Sequence, residues 1–151
     1  MTYNPKGIGE NSEAAVLAAL LRAGKIVLKP FGDNQRYDLV TDEGDGKFCR
    51  IQCKTGRLKH DGAVLLFDTC SSYVHRGRGK RDYKGDADVF AVYSPELDKV
   101  YLVPVAETGS RGCHLRVIPS KSGQFKKTRV AAKYELFSRV PKWNGTPLLT
   151  E

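Results

Sequence analysis

The sequence is poor in most features that announce a location or a familiar chemistry. No apolar run approaches the ~20 residues that a membrane-spanning helix needs, so no span and no membrane partner are expected. The opening Met1-Thr2-Tyr3-Asn4-Pro5-Lys6 lacks the apolar stretch of a secretory signal, and a cytoplasmic protein is expected. The histidines number only three, His60, His75 and His114, and none has a partner in sequence. Ser/His/Asp and Cys/His constellations are missing, which argues against nucleophilic hydrolases of those kinds. There is no G-x-x-x-x-G-K-[ST] loop to cradle a nucleotide. Gly7-Ile8-Gly9 precedes a helix without a strand leading into it, so a dinucleotide fold is not expected. Repeats, low-complexity tracts and linkers are absent, and residues 1–151 read as one domain.

Cysteine is present, at four positions, but not in a metal-binding frame. Phe48-Cys49-Arg50-Ile51-Gln52-Cys53-Lys54 alternates apolar and polar, as a half-buried strand does. Strand parity puts Cys49, Ile51 and Cys53 on one face and Arg50, Gln52 and Lys54 on the other. Cys49 and Cys53 are therefore core residues, and Cys70 and Cys113 have no ligand-like neighbour except His114.

Positive charge is plentiful. Lysine and arginine number 25 against 17 acids, giving a net +8. An excess of this size attracts polyanions, nucleic acid above all, and by itself fits an enzyme or a binding protein equally. His75-Arg76-Gly77-Arg78-Gly79-Lys80-Arg81 forms a glycine-spaced basic loop suited to following phosphates. Lys121, Lys126, Lys127 and Arg129 make a second basic patch around Gln124 and Phe125. Lys6, Arg57 and Lys59 are further candidates for DNA contact.

Hydrophobic spacing predicts a helix over 12–23, with Val16, Leu17, Leu20 and Leu21 at helical intervals and Gly24 as its stop. Strands are expected at 26–28, 37–40, 49–54, 63–67, 89–93, 100–103 and 115–118, and a second helix at about 128–138. Asp42-Glu43-Gly44-Asp45-Gly46 should turn the Asp38 strand back on the Cys49–Lys54 strand. The expected class is α+β, a mostly antiparallel or mixed sheet flanked by helices.

That hairpin brings chemistry together. Gln52 and Lys54 leave one face of their strand, and Asp38 lies beside them on the neighbouring strand. A hard cation such as Mg²⁺ seeks oxygen ligands, which Asp38 and the Gln52 amide can supply. Lys54 donates only, and suits holding a water or a phosphate as charge builds.

The pattern Asp38, then Gln52-Cys53-Lys54, resembles the PD-(D/E)XK nuclease superfamily. The layout from Glu13 to Gly24, preceded by Lys6-Gly7, resembles archaeal-type Holliday junction resolvases. Arg36-Tyr37-Asp38-Leu39-Val40 with Arg50-Ile51-Gln52-Cys53-Lys54-Thr55 is similar to the group I intron-associated branch, as is the stretch from Asp88 to Pro104. The resemblance implies a restriction-endonuclease-like fold and catalytic roles for Glu13, Asp38, Gln52 and Lys54. Asp38, Gln52 and Glu13 would be the metal ligands, with Glu10 as the alternative helix acid. It implies Mg²⁺, with Mn²⁺ as a substitute, and a DNA substrate, branched or duplex. Two departures stand out: Tyr37, not proline, precedes Asp38, and Gln52 replaces an acid, which leaves the number of metals open.

Two-fold pairing would give a junction enzyme its two cuts, so a homodimer resolving four-way junctions is the first expectation, with a higher oligomer as the alternative assembly. A sequence-specific homing endonuclease is the alternative, and a non-catalytic nucleic-acid-binding protein is the rival of another class. The scarcity of evident base-reading side chains favours the junction enzyme.

Overall fold

In the computed structural model of the chain, the described residues are 3–72, 79–122, 128–137, 142–143 and 146–147. Helix α1 spans Pro5–Arg22. Strands follow at β1 (Ile26–Leu28), β2 (Leu39–Gly44), β3 (Lys47–Thr55), β4 (Arg57–Lys59), β5 (Val64–Asp68), β6 (Cys70–Ser72), β7 (Lys80–Asp82), β8 (Val89–Ser94), β9 (Lys99–Pro104) and β10 (Gly112–Arg116). A short pair at Lys142–Trp143 and Thr146–Pro147 follows them.

α1 begins a full two turns before the expected start. Asn4 caps it by accepting the Gly7 N–H at 3.1 Å, and Pro5 occupies the first turn, where a missing N–H costs nothing. Gly7 and Gly9 disguised that start in the sequence. The stop is at the expected place: Gly24 adopts φ +80°, and Lys25 N–H returns to the Leu20 carbonyl at 3.0 Å.

The central sheet has five strands in the order β1-β2-β3-β8-β9. It is mixed: β3 and β8 run parallel, and the other neighbours are antiparallel. A parallel neighbour requires a crossover, commonly a helix. Here the crossover is β4 to β7, and β4 and β5 join β10 in a second sheet ordered β10-β5-β4.

Each face of the central sheet has its own core. Val16 and Leu20 of α1 pack on Leu39, Ile51, Ala91 and Val100. On the opposite face Phe90, Val92 and Val103 meet Leu65, Phe67 and Leu115 of the second sheet. Cys49 and Cys53 pack on the α1 side, as the alternation implied, Cys70 and Cys113 are buried, and all four are free thiols.

The helix expected over 128–138 is not formed among the described residues 128–137, which hold one 3-10 turn at Ala131–Lys133. β9 is an edge strand whose outward backbone groups need partners, and this segment supplies them. Leu102 N–H donates to the Tyr134 carbonyl and Leu136 N–H to the Val100 carbonyl, both at 2.8 Å. Phe137, placed on the expected apolar helix face, is 65% exposed.

The passage from the first sheet to the second runs through Gly56. A Cβ there would lie 2.9 Å from Leu65 Cγ and Cδ1 and from Val92 Cγ1. Leu65 and Val92 are fully buried and have no room to yield. Gly56→Ala should therefore destabilise the protein by about 1–3 kcal/mol in urea unfolding, the usual cost of overpacking. Gly9→Ala, inside α1 with nothing within 4 Å of its new methyl, should stabilise by about 0.5–1 kcal/mol. Equal effects at the two positions would contradict the packing described for Gly56.

Candidate active site

β2 pairs with β3 from Leu39, opposite Ile51, and the ladder stops there. Asp38, one residue earlier, donates its N–H to the Ile51 carbonyl at 2.8 Å. The next N–H along β3, that of Cys53, is left without a strand partner. The Asp38 carboxylate takes it, with Oδ2 at 2.9 Å. The end of the ladder thus fixes a carboxylate where two strands separate.

Glu13 reaches the same place from α1. Both acids line a cavity of about 150 Å³, together with Lys29, Gln35 and Tyr37. Of the two candidate helix acids, Glu13 lines this cavity and Glu10 does not. The helix is tied to the strand at this level by Ser12 Oγ and Thr55 Oγ1, 2.5 Å apart. Lys29 Nζ donates to Glu13 Oε1 at 2.5 Å. Sequence reading missed Lys29, although parity could have found it: Val27 packs on the α1 side, and Lys29 lies two residues beyond.

Lys54 leaves the other face of β3. Its Nζ donates to the Cys70 carbonyl at 3.2 Å and lies 3.4 Å from the Tyr83 hydroxyl and 4.6 Å from the Tyr83 ring centre. Arg36 Cζ is 4.2 Å from the same ring, a second cation–π contact. Arg36 also pairs with Asp86, donates to the Asp82 and Arg81 carbonyls at 2.6 and 3.2 Å, and donates to Ser71 Oγ at 2.9 Å. These contacts moor the β6–β7 ribbon beside Lys54. Gln52 is half-buried, and its amide donates to the Cys53 carbonyl at a long 3.4 Å. The structure thus joins Asp38 and Glu13 in one cavity, while Gln52 and Lys54 adjoin it without lining it.

Burial is the main influence on Asp38, and it pushes the carboxyl's pKa up. The Cys53 N–H opposes that shift, the Glu13 charge adds to it, and Lys54 and Lys29 pull the other way. The Cys53 thiol is pushed far up by its own burial, then by Asp38 and Glu13, so it is no nucleophile or thiolate ligand. No group of three or more His, Cys, Asp and Glu side chains placed to hold a metal ion occurs among the described residues. Two carboxylates in one cavity, already drawing in the Lys29 ammonium, nevertheless fit a hard cation with oxygen ligands and retained waters.

The DNA-contact candidates are scattered. Lys6 is exposed in the first turn of α1, and Lys59 and Lys80 are exposed on β4 and β7. Arg57 pairs with Glu96 at 3.5 Å, and Arg81 with Asp86 at 3.3 Å. Arg129 is half-buried, its Nε donating to the Glu107 carbonyl at 2.9 Å. Arg76, Arg78, Lys126 and Lys127 lie outside the described residues.

A helix acid, a strand-end aspartate and a Gln-x-Lys thus meet on one mixed sheet as a candidate site. The profile of the PD-(D/E)XK endonuclease family matches residues 3–137, and the chain belongs to that family. It is therefore an endonuclease acting on DNA, of a kind that generally uses divalent metals. Among curated proteins no significant sequence match is found. Among solved structures the fold is similar to that of a bacterial homing endonuclease, I-Ssp6803I, with a TM-score of 0.68 and 24% identity. That alignment covers 88% of this chain and 89% of the other.

Because folding raises the Asp38 pKa, its stabilising contribution is full below the unfolded value and is lost as pH rises through the folded one. Asp38→Asn keeps an acceptor for the Cys53 N–H and removes the charge. In the absence of divalent metal the variant should melt about 2–4 °C higher than the parent near pH 7. The advantage should shrink as pH falls toward the ordinary carboxylate range near about 4. Calorimetric melting at both pH values checks this, and an equal or lower melting temperature at pH 7 would contradict it.

Proposed function

We propose that this chain is a Mg²⁺-dependent endonuclease that hydrolyses duplex DNA at the junction of Asp38, Glu13 and Lys54. The observation that carries this reading is the cavity shared by Asp38 and Glu13 at the end of the β2–β3 ladder. Asp38 and Glu13 supply anionic oxygens for the cation, and Gln52, beside Asp38 on β3, supplies a neutral one. When bound, the cation supplies Lewis acidity and a water of lowered pKa. Lys54 holds the scissile phosphate as negative charge grows on it. Lys29 neutralises Glu13 in the free protein and turns to phosphate when DNA arrives. Mn²⁺ can replace Mg²⁺ at oxygen ligands.

For the substrate, a defined site in linear DNA is favoured over a branched one. The β6–β7 ribbon is of the kind a major groove admits, and Arg36 fixes it next to Lys54. The similar fold of a homing endonuclease agrees with this reading. Resolution of four-way junctions is the second reading, supported by the exposed cations Lys59, Lys80 and Arg81, which suit phosphates more than base edges. Either substrate asks for two symmetric cuts, which a homodimer provides.

With Mg²⁺ present, the protein should cut particular members of a randomised linear library. Each unfavourable base pair should cost about 1–3 kcal/mol in binding. Cutting an immobile four-way junction of any sequence while sparing its constituent duplexes would reverse the ranking. Asp38→Ala and Glu13→Gln should abolish cutting, and Lys54→Met should slow it by about 10²–10³-fold at saturating DNA. Full activity in chelator would contradict the metal requirement.

A further inference from the structure

The second sheet has an outer face that the catalytic arrangement does not use. Its inner face carries Leu65, Phe67, Cys113 and Leu115, all buried. By strand parity its outer face carries Arg57 and Lys59 from β4, Val64 and Leu66 from β5, and His114 and Arg116 from β10. The register aligns them in two cross-strand rows, Arg57–Leu66–His114 and Lys59–Val64–Arg116. Each row has basic residues at its ends and an aliphatic side chain in its middle. The acid of β5 on this face, Asp68, lies at the far end opposite Gly112.

A pocket of about 380 Å³ opens on this face between His60, Val64, His114, Arg116 and Arg129. It shares no residue with the Asp38–Glu13 cavity. Both guanidiniums are set in place through Nε, Arg116 to the Ile118 carbonyl at 2.6 Å and Arg129 to the Glu107 carbonyl at 2.9 Å. Neither forms an ion pair with an acid among the described residues. The backbone itself joins the two arginines, because Arg116 N–H donates to the Arg129 carbonyl at 2.7 Å. Two arginines oriented by carbonyls, without an ion-pair partner among the described residues and with two imidazoles beside them, suit an anion.

We infer that this pocket binds a phosphate of the DNA backbone, at a point remote from the bond that is cut. The inference rests on the DNA substrate proposed above and adds a second anchoring point to it. β3 continues through Gly56 into β4, so His60 is six residues from Lys54. Fully extended, that chain spans at most about 22 Å. That span is shorter than one helical turn of duplex, about 34 Å, so a single duplex can reach both places. Arg116, His114 and His60 were not marked by sequence, since they lie far apart in it and meet only through the β10–β5–β4 register.

The test uses the whole protein in chelator, with a fluorescent duplex of about three helical turns. Binding is followed by anisotropy across a salt series. Arg116→Gln with Arg129→Gln should weaken binding and lower the log–log salt slope by about 0.9, the share of the one phosphate held. Arg116→Lys with Arg129→Lys should restore the slope, which a purely structural role for the arginines would not. Single-turnover cutting at saturating DNA in Mg²⁺ should be unchanged in Arg116→Gln alone. That result separates loss of the anchor from loss of the catalytic site. A slope unaltered in the Gln pair, with the parent still cutting DNA, overturns the pocket and leaves the nuclease standing. Inorganic phosphate shifting the His114 imidazole resonances while the duplex leaves them unmoved would also overturn it, as a site for free anions only.

Discussion

Where β2 and β3 separate, the backbone N–H of Cys53 has lost its strand partner, and the Asp38 carboxylate replaces it at 2.9 Å. A buried N–H left unpaired costs about 1–3 kcal/mol, so the side chain is held there by the needs of the sheet. The same bond holds a carboxylate in a place where burial and the charge of Glu13 both oppose its ionisation. A site of this kind stores unfavourable electrostatics that a bound cation would relieve. Structure and chemistry are joined at one hydrogen bond: the interruption in the ladder creates both the demand for the carboxylate and the cavity beside it.

The rest of the molecule keeps that interruption in place. Ser12 and Thr55 tie α1 to β3, which puts Glu13 opposite Asp38. The Lys54 side chain crosses to the other side of β3, where Tyr83 and the Cys70 carbonyl hold it. Tyr83 in turn is buried against Phe90, their rings edge to face at 5.5 Å, and carries Arg36. The lysine, the ribbon and the second core are thereby one packed unit. A shift of the β6–β7 ribbon on DNA would be felt directly at Lys54.

Much of this was legible in the sequence because period-2 alternation is a strong signal. The strand at 49–54 and the facing of Cys49, Ile51 and Cys53 follow from it, and the strands at 26–28 and 89–93 from unbroken apolar runs. Asp38 and Lys54 stood out for the same reason, each at a fixed place on a hairpin. The start of α1 was hidden, because Gly7 and Gly9 have poor helix propensity while the Asn4 cap and Pro5 act through geometry. The segment 128–137 has the spacing of a helix face but is claimed by the open edge of β9, a tertiary demand no local pattern announces. Arg36 and Tyr83 are visible only once the fold brings 83 beside 54 and 36 over the Tyr83 ring. The parallel pairing of β3 with β8 was likewise hidden, since a sheet makes the crossover where a helix is usual.

The central claim is that the Asp38–Glu13 cavity is where a divalent cation binds. Mn²⁺ is paramagnetic and broadens the resonances of nuclei near it, so titrating it into isotopically labelled protein without DNA locates the cation directly. The account predicts that the amide signals of Glu13, Asp38 and Cys53 disappear first, and that Asp38→Asn with Glu13→Gln abolishes the effect. Broadening that begins elsewhere, or that survives in the double variant, would contradict it.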